Sequence, residues 1–336
     1  MNIINWLPEC EPYVEYAVRK NILGQNIDEL LDLKSSVLSD MRIQKYLDDV
    51  ADFNGTLVTN HKNPDIPIHK LLFLLEVGLD TDIPQIDLAI HQIIKNKDEN
   101  GIPKSMTNIP KHFGGSGEDT LAWALCDAPL MLYALIEAGI DYDSQVKQGV
   151  EYIIGLHRDN GFPCVVSKEL GKFRGPGKKD DFCPYATLII LKLLSVIPEY
   201  EQSELANSII TVLLDLWERS REQHPYMFYM GTDFRKLKAP ALWYDIVSMA
   251  DCLSHFEFAR KDKRFDEMLT IIESKANPNN QFIPESVYLK CKEWDFGQKK
   301  EPSQWLTYIC IRTLERCGRL RFEKQYSQIE TTLESR

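Results

Sequence analysis

The sequence predicts an all-α protein of 336 residues in which inner and outer helices alternate and close into an (α/α)6 toroid. Three observations carry that prediction. Pro103, Pro163, Pro225 and Pro284 recur at spacings of 60, 62 and 59 residues. Three of these prolines close a degenerate phrase: Asp98-Glu99-Asn100-Gly101-Ile102-Pro103, Asp159-Asn160-Gly161-Phe162-Pro163 and Asn279-Asn280-Gln281-Phe282-Ile283-Pro284, with His224-Pro225 as a worn copy. Between them, helices apolar nearly all round alternate with helices bearing one apolar stripe. A fixed period marks a stack of one supersecondary unit, and the two helix types mark a buried layer and a surface layer.

In chain order, residues 11 to 50 predict two helical segments, from Pro12 to Leu23 and from Ile27 to Val50, the second broken near Ser39. Inner helices follow at Ile68 to Val77, Ala128 to Ala138, Tyr185 to Ile197, Leu242 to Phe256 and Trp305 to Leu314. Pro67, Pro129, Pro184 and Pro302 stand at or near their first turns, where a missing N–H costs little. The outer pattern reads at Ser144 to His157, Glu201 to Glu218 and Arg264 to Ala276. Residues 1–336 form one domain on this reading: N-terminal helices over 1–59, repeated hairpins over 60–318 and a last outer helix over 319–336 that frays at Thr331 to Arg336. Strand content is expected to be negligible.

Lys plus Arg number 39 against 50 Asp plus Glu, a net charge of −11, which argues against nucleic acid as a partner and against broad attraction to anionic membrane. The eight cysteines form no CxxC pair and read as reduced structural thiols. The start Met1-Asn2-Ile3-Ile4-Asn5-Trp6 lacks the basic and apolar regions of a signal peptide, and no uncharged apolar run reaches the ~18 residues of a membrane span. A cytoplasmic location without a transmembrane segment is the expectation.

The helical hairpin ending in a Gly-aromatic-Pro turn resembles the repeats of the squalene cyclase and protein prenyltransferase β-subunit superfamily over roughly residues 60 to 318. Phe173-Arg174-Gly175-Pro176-Gly177-Lys178-Lys179-Asp180-Asp181-Phe182-Cys183-Pro184-Tyr185-Ala186-Thr187 and Pro240-Ala241-Leu242-Trp243-Tyr244-Asp245 are the segments most similar to the helix starts of those proteins. Similar Cys-Pro-Tyr-Ala-Thr, Tyr-Asp and Pro-Ser-x-Trp starts occur in squalene cyclase-like proteins of bacteria and archaea. The resemblance implies a toroid with a central ligand cavity. It also shows what is missing. Class II cyclases of the superfamily protonate an alkene with an Asp-x-Asp-Asp cluster; here only Asp80-Thr81-Asp82, in a loop, and the lone Asp127 stand near that pattern. Protein prenyltransferases bind zinc through Asp-x-Cys and a later His. Asp181-Phe182-Cys183 matches the pair, and Asp245 follows Cys183 by 62 residues where the resemblance implies His. Asp181, Cys183 and Asp245 with a water are thus one candidate zinc set; the alternative makes Asp181 an N-cap, Cys183 a small core residue and Asp245 a hydrogen-bonded buried acid.

With inner helices all pointing one way, the loops that lead into them meet at one mouth. Three consecutive loops are basic: Lys172, Arg174, Lys178 and Lys179; then Arg235, Lys236 and Lys238; then Lys299 and Lys300. Helix N-termini at that mouth add N–H donors, so a diphosphate or carboxylate is the expected anion, although Asp180, Asp181, Asp233 and Glu301 offset part of the charge. His69, Trp123, Tyr185, Trp243, Tyr244, Gln304 and Trp305 are the expected cavity lining, with Asp127 and Asp245 as the acids available for catalysis. Gly114-Gly115-Ser116-Gly117 reads as a flexible loop and, by position, a lid. No P-loop, GxGxxG, HExxH or Gly-x-Ser-x-Gly motif occurs.

Three functions remain open at this level. The first is an enzyme of isoprenoid type, a transferase or lyase, with an anionic head on the rim, an apolar tail in the cavity and Asp127 or Asp245 as acid, base or metal ligand. The second is a carbohydrate-active α/α barrel with Asp127 and Asp245 astride a glycosidic bond, which needs carboxyl groups ~5–9.5 Å apart. The third is a non-catalytic toroid holding a lipid-like ligand or a protein partner.

Overall fold

The structure, a computed structural model, describes residues 6–171, 173, 180–222, 224–225 and 228–320. Among these it is mostly helical, with fourteen α-helices and one small sheet. In order they are α1 (Pro12–Asn21), α2 (Leu31–Ser39), α3 (Met41–Ala51), α4 (Pro67–Val77), α5 (Pro84–Lys95), β1 (Ser105–Thr107), β2 (Thr120–Ala122), α6 (Ala128–Glu137), α7 (Tyr142–Gln145), α8 (Lys147–Ile154), α9 (Pro184–Leu194), α10 (Glu204–Glu218), α11 (Ile246–Leu253), α12 (Glu257–Arg260), α13 (Lys263–Glu273) and α14 (Gln304–Arg316). No described helix is long and apolar enough to cross a membrane.

Local chemistry sets the boundaries. Pro67 opens α4, and Gly78, at φ 105°, ends it by donating its N–H to the Leu74 and Leu75 carbonyls. Asp40 breaks the second N-terminal segment: its extended backbone ends α2, and its carboxylate caps α3 by accepting the Arg42 N–H at 2.8 Å. The outer helix α10 begins at a Ser203 cap and buries Ala206, Ile209, Ile210, Leu213 and Trp217 along one stripe. Two expected helices are shorter than their apolar runs. The segment from Ser144 divides at Val146 into α7 and α8. Helix α11 starts only after Asp245, whose backbone is extended and whose carboxylate accepts the Ser248 N–H at 2.9 Å.

Strand content among the described residues is confined to one two-stranded sheet. Ser105–Thr107 pairs antiparallel with Thr120–Ala122, and the Gly114 to Gly117 stretch belongs to the connection between these strands. Three-residue strands carry too little alternation to be read from sequence. The outer helix α5 was likewise not singled out.

The recurring phrase has a physical role. In the first copy Asp98 Oδ1 accepts the N–H groups of Asn100 and Ile102; in the last, Asn277 Oδ1 accepts those of Asn279 and Gln281. The aromatic residue of the turn then docks on the next helix. Phe162 N–H donates to Thr187 Oγ1 at 3.1 Å while its carbonyl accepts Cys183 N–H at 2.7 Å; Phe282 does the same with Thr307 Oγ1 at 3.0 Å and Ser303 N–H at 2.9 Å. Gly161 is required here, because at φ 107° an added Cβ would also stand 3.0 Å from Phe182 and from Thr187 Oγ1. These two turns therefore tie the one-striped helices α8 and α13 to the first turn of the apolar helix that follows each.

Packing among the apolar helices runs from α1 to α4, α4 to α6, α6 to α9, α9 to α11, α11 to α14, and from α14 back to α1. The one-striped helices pack on them: α3 on α4, α5 and α6 together, α8 on α6, α10 on α9, and α13 on α11. The contact between the two ends of the chain is specific. Gln304 accepts the Glu11 N–H at 2.7 Å and donates to the Glu9 carbonyl at 2.8 Å. Asp295 accepts the Tyr13 hydroxyl at 2.6 Å, the Ser303 hydroxyl at 2.7 Å and the Trp305 N–H at 3.1 Å. Behind it, Tyr13, Phe73, Trp294, Phe296 and Trp305 form one buried aromatic cluster.

Candidate functional site

A cavity of about 320 Å³ is lined by side chains from all six helices of that circuit. The lining follows helical spacing. Helix α4 contributes His69, Leu72, Phe73 and Glu76; α9 contributes Tyr185, Leu188, Ile189 and Lys192; α11 and its last turn contribute Ser248, Asp251, Cys252 and His255. Each set falls at i, i+3, i+4 and i+7, one face of a helix. Leu130, Tyr133 and Glu137 come from α6, Arg312 and Arg316 from α14, and Asn21 from the end of α1. The cavity accordingly has an apolar middle, a polar end near the helix N-termini and a charged end near the C-termini.

At the N-terminal end the segment Pro240 to Trp243 packs over the helix starts. The Trp243 ring lies on Tyr185 with centroids 4.0 Å apart, Tyr185 Oη donates to the Leu242 carbonyl at 3.2 Å, and Lys62 sits 5.0 Å above Trp243. His69 is 5 % exposed, and its Nδ1 is 3.0 Å from the Asn63 carbonyl. A carbonyl only accepts, so Nδ1 carries the proton. Burial lowers the pKa of this ring to about 4, leaving it neutral with Nε2 as a bare acceptor that has no partner.

At the charged end Arg312 pairs with Glu76 at 2.7 Å and Asp251 at 3.0 Å, and Arg316 approaches Asp251 at 3.3 Å. Burial raises the Asp251 pKa, but the two guanidinium groups outweigh it and hold the carboxyl well below the usual range. Burial pushes the Glu137 carboxyl up and the His255 ring down to about 4. Lys192 differs from the two arginines: its ammonium lies 5.0 Å from the Tyr133 ring centre and has no carboxylate in ion-pair range among the described residues.

Of the residues expected to line the cavity, His69, Tyr185 and Trp243 do so and four others do not. Trp123 Nε1 donates to Asp98 at 2.8 Å, Tyr244 packs on Phe228 and Phe234, Gln304 joins the chain ends, and Trp305 is wholly buried in the aromatic cluster. Position at a helix start does not fix which way a side chain faces.

Asp127, Cys183, Asp245 and Ser303 occupy one structural position, the N-cap of successive apolar helices. Asp127 accepts the Ser105 hydroxyl at 2.8 Å and the Ala124 N–H at 3.1 Å, with His61 Nε2 at 3.5 Å. Cys183 Sγ accepts the Ala186 N–H at 3.4 Å, as Ser303 Oγ accepts that of Leu306 at 3.0 Å. Neither aspartate lines the cavity. The zinc set is corrected on the same ground. Asp181 borders a separate outer hollow with Asp159 and Asp215, and among the described residues no three His, Cys, Asp or Glu side chains converge to hold a metal ion. The donors do not fit zinc.

The basic mouth is described only in part. Lys172, Arg174, Lys178 and Lys179 lie outside the described residues. Arg235 stacks 4.5 Å from the Trp217 ring centre beside α10, Lys236 pairs with Asp233 at 3.0 Å, and Lys238 sits 3.4 Å from the Tyr288 ring centre. None of these lines the cavity. The cations that do, Lys192, Arg312 and Arg316, are at the opposite end, and sequence reasoning missed them. Their signal was a charged residue seven places after a polar one inside an apolar helix, as in His69/Glu76 and Tyr185/Lys192.

Asp245 supports a first prediction. Burial raises its pKa to about 6, against the help of the Ser248 N–H and Lys238, and Oδ2 has no partner. A folded pKa above the unfolded value of ~3.9 means its ionisation opposes folding as pH rises from about 4 through 6. Asp245→Asn keeps a cap and removes the charge. Urea titrations should find the variant more stable by roughly 2 kcal/mol above about pH 6, with the difference gone below about pH 4. A variant less stable at neutral pH would contradict this.

A scan against protein-family models and a search of curated proteins both returned no match to this chain.

Proposed function

We propose that the chain is an α/α toroid, resembling the squalene cyclases and prenyltransferase β-subunits in architecture, whose axial cavity binds a small apolar or isoprenoid-like ligand with an anionic head. Support for the toroid comes from the circuit of packing that returns from α14 to α1, with one-striped helices outside it. The observation that carries the ligand is the two-part lining: Leu72, Phe73, Leu130, Leu188 and Ile189 form an apolar belt, and Lys192, without a carboxylate partner among the described residues, stands at its charged end. A cavity of about 320 Å³ is at the small end of ligand pockets, ~300–1,000 Å³, so a short-chain ligand fits this reading better than a triterpene. The anion is assigned to the Lys192 end. The carbohydrate reading loses its support because neither carboxylate lines the cavity: Asp245 caps α11, and Asp127 is held by the Ser105 hydroxyl and the Ala124 N–H.

The test is calorimetric titration and thermal shift with geranyl diphosphate, octanoate and a maltose oligosaccharide series. Binding of an amphipathic anion is expected, with a stabilisation of about 2.7 kcal/mol at 100 times its dissociation constant, and Lys192→Met should weaken it about tenfold or more. Binding of oligosaccharides alone, or amphipathic binding indifferent to Lys192, would overturn the assignment.

A further inference from the structure

Three buried polar atoms on the cavity lining have no partner in the protein: His69 Nε2 and Ser248 Oγ toward the N-terminal end, and Arg312 Nε at the charged end. His69 Nε2 is an acceptor at the N-terminal end, and Arg312 Nε is a donor at the charged end. The tautomer at His69 is fixed by the Asn63 carbonyl on the other ring nitrogen, so Nε2 accepts and cannot donate. The groups able to face this ring electrostatically are His61, Lys192 and Asp127, and none hydrogen-bonds Nε2. A buried acceptor ordinarily has a partner; of the hydroxyls on the lining, that of Tyr185 donates to the Leu242 carbonyl, and Ser248 Oγ has no partner itself.

Resting on the ligand reading above, we infer that the natural ligand carries a hydroxyl at the end of its apolar chain remote from the anion, and that this hydroxyl donates to His69 Nε2. The ligand class is a linear hydroxy-terminated amphiphile. Its length follows from the helix: His69 to Glu76 and Tyr185 to Lys192 are each seven residues, about 10 Å along the axis. An anion at Lys192 and the Arg312 Nε–H, and a hydroxyl at His69, therefore sit one extended medium-length chain apart. The leucine and isoleucine side chains between them have no polar atom, so the chain joining the two ends is a hydrocarbon.

The experiment is calorimetric titration of the full-length protein with ω-hydroxyoctanoate, octanoate and octanol. The hydroxy acid is expected to bind about tenfold more tightly than octanoate, the factor of one well-placed hydrogen bond, and octanol is expected to bind more weakly than either acid. In His69→Phe the hydroxyl preference should disappear while octanoate still binds; His69→Gln, which keeps an acceptor, should retain part of it. Equal affinity of the wild-type protein for the hydroxy acid and octanoate overturns the His69 pairing and leaves the cavity reading standing. Failure of all three compounds to bind overturns both. The comparison of ligands on the unaltered protein holds even if a His69 variant does not fold.

Discussion

Replacing Arg312 with methionine lowers the stability of the protein by about 3–5 kcal/mol, read from urea denaturation at neutral pH. The guanidinium connects three helices: it meets Glu76 of α4 at 2.7 Å, Asp251 of α11 at 3.0 Å and, on its own helix α14, the Tyr308 hydroxyl at 3.0 Å. Methionine matches the length of the stem but leaves Glu76 without its ion pair and Asp251 with Arg316 alone at 3.3 Å. An uncompensated buried carboxylate is what makes the loss large. By contrast, Lys261→Met removes an exposed i,i+4 pair to Glu257 and should change stability by no more than about 0.5 kcal/mol. The Arg312 deficit also has a defined pH course. Asp251 is held below its unfolded pKa, so its contribution is present above about pH 4 and fades as pH falls further; the gap between variant and wild type should narrow over the same interval. A loss below about 1 kcal/mol at neutral pH would contradict the assigned role.

Phe73→Ala should cost a similar amount, about 3–5 kcal/mol. Phe73 is 3 % exposed and lies 4.8 Å from the ring centres of both Trp294 and Trp305, with Tyr46 at 5.7 Å and Tyr13 and Phe296 at 6.0 Å. These rings come from α1, α3, α4, α14 and the segment before α14, so the cavity created by alanine opens where the two ends of the chain meet. Its neighbour Leu72 is a built-in control. Leu72 is only partly buried, and the void it borders already lacks packing partners; Leu72→Ala should cost about 1–2 kcal/mol. Both residues border the cavity, and equal losses at the two positions would mean that the aromatic cluster around Phe73 adds nothing to its role as a lining residue.

The mostly helical character of the chain and the chemistry of its recurring turns were legible in the sequence. The phrase recurs with matching turn chemistry in two of its copies, where Phe162 and Phe282 make corresponding hydrogen bonds to Thr187 and Thr307. All-round apolarity marked α4, α6 and α9, which pack on one-striped helices and also line the cavity. The site was less legible for the same reason. When a helix is apolar on every side, nothing in its sequence says which side faces the axis, so Trp305 and Tyr244 were expected in a cavity that Leu188 and Tyr133 line instead. Asp127 and Asp245 drew attention as acids; for Asp245 the better sequence signal was its position just before a helix, where Asp is a capping residue, whereas Asp127 holds the Ser105 hydroxyl and the Ala124 N–H instead. Cys183 shows the point most clearly, since the equivalent position later in the chain holds Ser303 and does the same work.

The central claim is that the helices return on themselves, so that the first and last meet and enclose the cavity. A double-mutant cycle on Tyr13→Phe and Asp295→Asn tests it most directly, because the Tyr13 hydroxyl reaches Asp295 at 2.6 Å across 282 residues of sequence. The account predicts a coupling energy of about 1.5–3 kcal/mol, the value of a hydrogen bond to a charged acceptor. Additive effects, with coupling no larger than about 0.5 kcal/mol, would mean that the two ends of the chain do not meet and that the circuit is open.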